Sequence, residues 1–138
     1  MAPDFSTDFG ERAQERLWRE PIAWLVTIAG DGTPQPSPVW YLWDGETCLI
    51  YSKANAPKVR NMQRQPKVAL HLEGDGHGGN IVILTGEATI EVGPLATEVP
   101  AYLAKYGAGI TEIGMTPESF AATYSTAIRF RPTALRGH

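Results

Sequence analysis

The chain has 138 residues, 43% hydrophobic and 20% charged, with 12 basic against 15 acidic side chains and a net charge of −3. That length suits one domain, residues 1–138, and the acidic balance argues against nucleic acid as the main partner. No run approaches the ~18 apolar residues of a membrane span, and neither a basic start nor an apolar stretch marks a signal peptide, so a cytoplasmic location is expected.

A helix is expected over Asp8 to Arg19. Asp8 with Glu11 resembles a capping arrangement, Phe9, Ala13 and Leu17 form the apolar stripe, and Pro21 ends the helix. The polar remainder reads as a solvated face. Ile22 to Ala29 is β-branched and aromatic, almost wholly apolar, and predicts a strand buried on both faces. Gly30-Asp-Gly-Thr33 is a hairpin signal. The next strand, Gln35 to Trp43, follows Pro34 and carries Pro36 and Pro38, so its first half belongs at an edge or is irregular. Asp44-Gly45 turns into a strand from Thr47 to Ser52, where the lone cysteine, Cys48, reads as a buried small hydrophobe.

After a basic helix opened by Pro57, Pro66 precedes a strand from Val68 to Leu72 and a loop from Glu73 to Gly79. The longest strand spans Asn80 to Val92, with a bulge or bend expected at Gly86. Pro94 opens a helical stretch to Tyr106 that Gly107-Ala-Gly109 ends. Thr116-Pro117 starts a short helix whose Phe120 and Tyr124 face inward. Thr126 to Arg131 alternates, with Ile128 and Phe130 inside; Pro132 breaks it, and Thr133 to Leu135 adds a last short strand. The four tryptophans, Trp18, Trp24, Trp40 and Trp43, are expected mostly in the core. Hairpin-linked strands without parallel crossovers predict a mainly β (α+β) antiparallel barrel of six to seven strands with peripheral helices.

Chemistry concentrates in Tyr51-Ser-Lys-Ala-Asn-Ala-Pro-Lys-Val-Arg-Asn61. A strand runs through a polar turn into a helix whose first residue is Pro57, and such an N-terminus favours an anion through its free amides and its dipole. Ser52 and Lys53 flank the opening. Lys58 and Asn61 share one helix face, while Val59 and Met62 turn towards the core. No acid lies between Glu46 and Glu73, so the five bases there make +5; the other seven bases against fifteen acids make −8. This asymmetry suits a small acidic ligand, against the plainer reading of a solvated basic face. The glycines and Gly-Lys-Ser/Thr ending of a Walker loop are missing.

The ordered segments Ala-Trp-Leu-Val-Thr, Gly-Asp-Gly-Thr-Pro-Gln-Pro-Ser-Pro-Val-Trp-Tyr, Trp-Asp-Gly, Tyr-Ser-Lys and Lys-Val-Arg-Asn, continuing to Phe130-Arg-Pro-Thr, resemble the flavin- and deazaflavin-dependent split β-barrel family. This is the pyridoxamine-5′-phosphate-oxidase-like, FMN-binding group. The Pro-Val-Trp-Tyr strand and its spacing to Lys-Val-Arg-Asn most resemble the branch that uses coenzyme F-420. The resemblance implies a homodimer with cofactor sites at the subunit interface. Ser52, Lys53, Lys58 and Asn61 would hold the phosphate. Ser37, Pro38, Val39 and Trp40 would line the ring, and partner-subunit residues around positions 71 and 81 would close the pocket. It further implies hydride transfer from reduced F-420 to an unsaturated organic small molecule, with FMN the alternative cofactor. The chain ends Ala-Leu-Arg-Gly-His without the C-terminal tryptophan of the vitamin oxidases.

Tyr41 and Tyr51 are candidate proton donors, each also readable as a core or interface side chain. His71, His77 and His138 show no metal-ligand spacing, and no metal is expected. No Gly-x-Ser-x-Gly elbow supports hydrolysis. A non-catalytic cofactor carrier, and a haem-handling barrel using His71, are the readings from other classes.

Overall fold

The computed structural model describes residues 2–138. Helix α1, Asp8–Arg19, has the predicted span, but Thr7 caps it: the Thr7 hydroxyl accepts from the Gly10 N–H at 2.9 Å. That bond satisfies one of the amides a helix start leaves open, and it moves Asp8 into the first turn, where its charge meets the dipole's positive end. Ala13 and Leu17 are fully buried. Arg16 departs from the expected solvated face. It is 7% exposed, pairs with Glu20, and donates to the carbonyls of Asn80 and Glu73, fastening α1 to the loop between the fifth and sixth strands.

The strands are β1 (Ala23–Ile28), β2 (Pro34–Val39), β3 (Leu42–Trp43), β4 (Cys48–Ser52), β5 (Lys67–Leu72), β6 (Val82–Glu91) and β7 (Thr126–Gly137). They form one antiparallel sheet in the order β2-β1-β5-β6-β7-β4-β3, curled into a half-barrel with four helices. β2 is an edge strand, as its prolines require. Their alternation places all three missing N–H groups on the side away from β1. The expected continuous strand to Trp43 is instead cut in two. The chain leaves β2 at Trp40-Tyr41 and re-enters as β3 at the opposite edge, so these two residues bridge the seam where the barrel would close.

β1 alternates between buried and half-buried residues, correcting the expectation of two fully buried faces. The core side carries Leu25 and Leu70; the outer side carries Trp24, Val26 and Ile28 with Ala69 and His71. β4 alone is buried throughout, because Cys48 and Ile50 enter the barrel core while Leu49 and Tyr51 enter a second core under the helices. The bulge expected at Gly86 is present. Pro132 does not break the last strand. β7 runs its full length because Pro132 faces Gly86 where the register shifts, so its absent N–H falls at an existing interruption in the ladder.

α2 (Pro57–Arg64) seats Val59 and Met62 in the barrel core. A 3-10 turn (Ala96–Glu98) leads into α3 (Pro100–Glu112), which continues through the glycines expected to end it; Gly114, at φ +79°, marks the stop instead. A Cβ on Gly109 would stand 3.2 Å from the Trp40 indole, so this glycine lets helix and ring pack closely. α4 (Pro117–Thr123) is capped by Thr116. Of the tryptophans only Trp43 lies in the core. Trp18 is 53% exposed, Trp24 sits on the outer sheet face and Trp40 stands at the seam. Among the described residues, no helix is long and apolar enough to cross a membrane.

Candidate functional site

The seam between the sheet's two edges holds a cleft of about 350 Å³. Pro38, Val39 and Trp40 line one side as the chain leaves β2. Tyr51, Ser52 and Lys53, where β4 ends, line another, with Ala56 and Lys58 from the start of α2. The structure thus gathers six of the eight predicted cofactor-binding residues in one concavity. Ser37 and Asn61 lie in an adjoining hollow with Thr27 and Gln35, and Lys58 stands between the two spaces. The separation follows position along β2: residues 34–37 border the hollow and residues 38–40 the cleft. Ser37 faces the core side of β2, opposite Leu25, whereas Pro38 faces outward. Asn61 is already engaged: its amide donates to Thr27 Oγ1 at 3.1 Å and Gln35 Oε1 at 2.8 Å, tying α2 to the sheet.

The basic end of the cleft is electrostatically open. No side chain caps α2, its first turn carries no acid, and its N-cap residue is Ala56. Among the described residues, neither Lys53 nor Lys58 has a carboxylate within ion-pair distance. Burial holds the Lys58 ammonium below the ordinary lysine value, so an incoming anion would relieve an uncompensated charge. The other bases of the charged window serve local structure or solvent: Arg60 donates to Asn55 O and Arg64 to Asn61 Oδ1.

The opposite wall is aromatic and comes from α3 and α4. Tyr102, Ile113, Phe120 and Tyr124 line the cleft. Trp40 stacks on Tyr106 (4.8 Å, 5°) and on Phe120 (5.7 Å, 16°), and Phe120 stacks on Tyr124 at 4.7 Å. Lys53 Nζ stands 5.8 Å from the Tyr124 ring centre, linking the two ends. Of these residues, the inward placement of Phe120 and Tyr124 was expected, but not their approach to the seam. Tyr102, Tyr106 and Ile110 repeat every four residues, a stripe that announces a packed face without saying against what.

The candidate proton donors are placed differently. Tyr41 is fully buried outside the cleft, and its hydroxyl has no hydrogen-bond partner among the described residues. Tyr51 borders the cleft at 7% exposure, but its hydroxyl donates to Pro94 O at 2.7 Å. Burial raises the pKa of both phenols. His71 stacks on Trp24 (6.5 Å, 10°) on the outer sheet face, outside the cleft lining. Ile81 exchanges both backbone hydrogen bonds with His138. Among the described residues, no three His, Cys, Asp or Glu side chains cluster as a metal site would need.

A curled antiparallel half-barrel with a basic, aromatic-walled cleft at its seam defines a split β-barrel. The family pattern for pyridoxamine 5′-phosphate oxidase matches residues 9–138, and the chain belongs to that family. Among solved structures, an F420 reductase is similar at 26% identity and TM-score 0.68, covering 88% of this chain and 94% of its own. A conserved hypothetical protein of Mycobacterium tuberculosis is similar at 23% and 0.68, covering 93% and 84%. A heme storage protein of Vibrio cholerae is similar at 16% and 0.65, covering 96% and 94%. No curated protein matches the chain.

Proposed function

We propose that the protein is a homodimeric oxidoreductase that binds coenzyme F-420, or FMN as the alternative, in the seam cleft and reduces an unsaturated organic substrate. One observation carries this reading: within a single cleft, an aromatic wall built around Trp40 faces two lysines that have no carboxylate partner among the described residues, at a helix start without a side-chain cap. That pairing fits a planar ring joined to a phosphate. Lys53, Lys58 and the first amides of α2 would hold the phosphate, with Ser52 beside them. Ser37 and Asn61 border the neighbouring hollow, where the unpartnered Ser37 hydroxyl could meet polar atoms of the linker between ring and phosphate. The likeness to an F420 reductase supports the deazaflavin over FMN.

When bound, the reduced deazaflavin supplies the hydride. The chain's part is to orient and to exclude water. Pro38, Val39 and Trp40 present an apolar rim, and Phe120 and Tyr124 keep the opposite side dry. With the Tyr41 hydroxyl sealed away and that of Tyr51 bonded to Pro94 O, proton delivery falls to solvent. Titration with F-420 and with FMN, followed by tryptophan emission, tests the binding: quenching by micromolar F-420 is expected, and quenching by FMN alone would transfer the chain to the flavin branch.

The same placement of the two tyrosines favours a second reading, a cofactor carrier without turnover. Reduced F-420 incubated with a panel of enones, quinones and nitro compounds separates the two. Steady oxidation of the cofactor excludes a pure carrier, and its absence across the panel with tight binding retained excludes the reductase.

A further inference from the structure

The Trp40-Tyr41 bridge lies outside the sheet, so no ladder partner satisfies its backbone. Side chains of α3 satisfy that of Tyr41 instead. The Tyr106 hydroxyl accepts from the Tyr41 N–H at 2.8 Å, and its one proton lies between two acceptors, Pro21 O at 2.7 Å and Tyr41 O at 2.9 Å. Lys105 Nζ donates to Tyr41 O at 2.9 Å and stands 3.9 Å from the Tyr41 ring centre and 5.2 Å from that of Tyr106. Tyr106 also stacks under Trp40, and Gly109, one turn beyond Lys105, leaves room for the indole. Two consecutive side chains therefore hold both backbone groups of Tyr41 and one face of the Trp40 ring.

We propose that Lys105 and Tyr106 are positioning residues for the seam site, fixing through Tyr41 where the Trp40 ring stands in the cleft, with Lys105 the adjustable member. The effect on ligand binding rests on the function proposed above; the clamp itself does not. Lys105 is half-buried, without a carboxylate in ion-pair range among the described residues. Charge over an aromatic ring is worth most where water is excluded. The groups that face it are Tyr41 from the bridge, Tyr106 on its own helix, the Cys48 thiol on β4 and Glu20 after α1, with Arg16 acting on Tyr41. Burial lowers the Lys105 pKa to about 8, while burial raises those of Tyr41, Tyr102, Tyr106 and Cys48, clearing the window near pH 8 of their titrations. Above that pH the amine still donates to Tyr41 O but no longer attracts the ring, and the bridge loosens.

Tryptophan emission of the ligand-free protein between pH ~6.5 and ~9.5 is the test, bracketing the lysine titration. A transition near pH 8 is expected in the wild type. It disappears in Lys105→Arg, which keeps its charge, in Lys105→Met, which never has one, and in Trp40→Phe, which lacks the reporter. Where Lys105→Met does not fold, Lys105→Gln carries the same comparison. A wild type without a transition, or one that persists in the uncharged variant, overturns the clamp. Affinity for F-420 or FMN is expected to fall across the same window roughly three- to tenfold further in the wild type than in Lys105→Arg, which keeps only the fall that Lys58 causes. If the emission change follows Lys105 while neither cofactor binds, the clamp stands and the cofactor reading falls.

Discussion

Lys58 stands where the two compartments of the site meet, half-buried and with no acid in ion-pair range among the described residues. Its isolation is a small instability of the free protein that an anion would reverse. Lys58→Ala is expected to weaken cofactor binding by ~1.5–3 kcal/mol, the range for hydrogen bonds to charged groups, as calorimetry would measure. An unchanged affinity would remove the phosphate from this end of the cleft. A bound phosphate should also raise the depressed Lys58 pKa, so at alkaline pH binding takes up protons. Calorimetry in buffers of different ionisation enthalpy would show that uptake, and Lys58→Met would reduce it to the share that belongs to Lys105. Lys105 has a separate consequence for stability. Its folded pKa lies below the unfolded one, so between about pH 8 and 10.5 the unfolded chain binds more protons and stability rises with pH. Urea midpoints across that window should climb for the wild type relative to Lys105→Met; parallel curves would show that the lysine titrates alike in both states.

Two glycines separate what an element needs from what it merely tolerates. A Cβ on Gly86 would lie 2.1 Å from Arg131 O, a backbone atom that cannot move aside, so the bulge between β6 and β7 requires glycine. Gly107, inside α3, meets nothing within 4 Å. Gly86→Ala is therefore expected to destabilise by at least ~1–3 kcal/mol, and Gly107→Ala to stabilise by about 0.5–1 kcal/mol, both from urea unfolding. Equal effects would mean that the close approach at the bulge carries no penalty. The same contrast explains what the sequence disclosed. Gly86 interrupting an alternating run is visible because strand period and glycine conflict locally. The α1 stripe, the edge prolines of β2 and the Pro57 helix start are local signals too, and each reached its structural place. The glycines of α3 misled because their reason is tertiary: Gly109 makes room for Trp40, a ring sixty-nine positions earlier in the chain. Pro132 misled likewise, since only its pairing opposite Gly86 makes a proline harmless mid-strand. Lys53 and Lys58 were legible from charge and spacing. The clamp of Lys105 and Tyr106 was not, because its need arises only when the bridge leaves the sheet.

At the scale of the molecule, one face remains half exposed. Trp24, Val26 and Ile28 of β1, with Ala69 and His71 of β5, form an apolar surface that this chain leaves partly open to solvent. It is continuous with Pro38, which opposes Trp24 across the ladder and lines the cleft. A second copy covering this surface would therefore also wall the cleft, joining dimerisation to the proposed cofactor site. Outward-facing side chains leave the barrel core untouched, so a charge placed there tests assembly apart from folding. Val26→Lys is expected to keep the wild-type circular dichroism, sediment as a monomer at micromolar concentration, and lose affinity for F-420, because the wall that the proposed second copy would add to the cleft is then missing. A Val26→Lys protein that remains dimeric would place the contact elsewhere. One that is monomeric yet binds the cofactor undiminished would confine the whole site to a single chain, with the aromatic wall of α3 and α4 as its only cover.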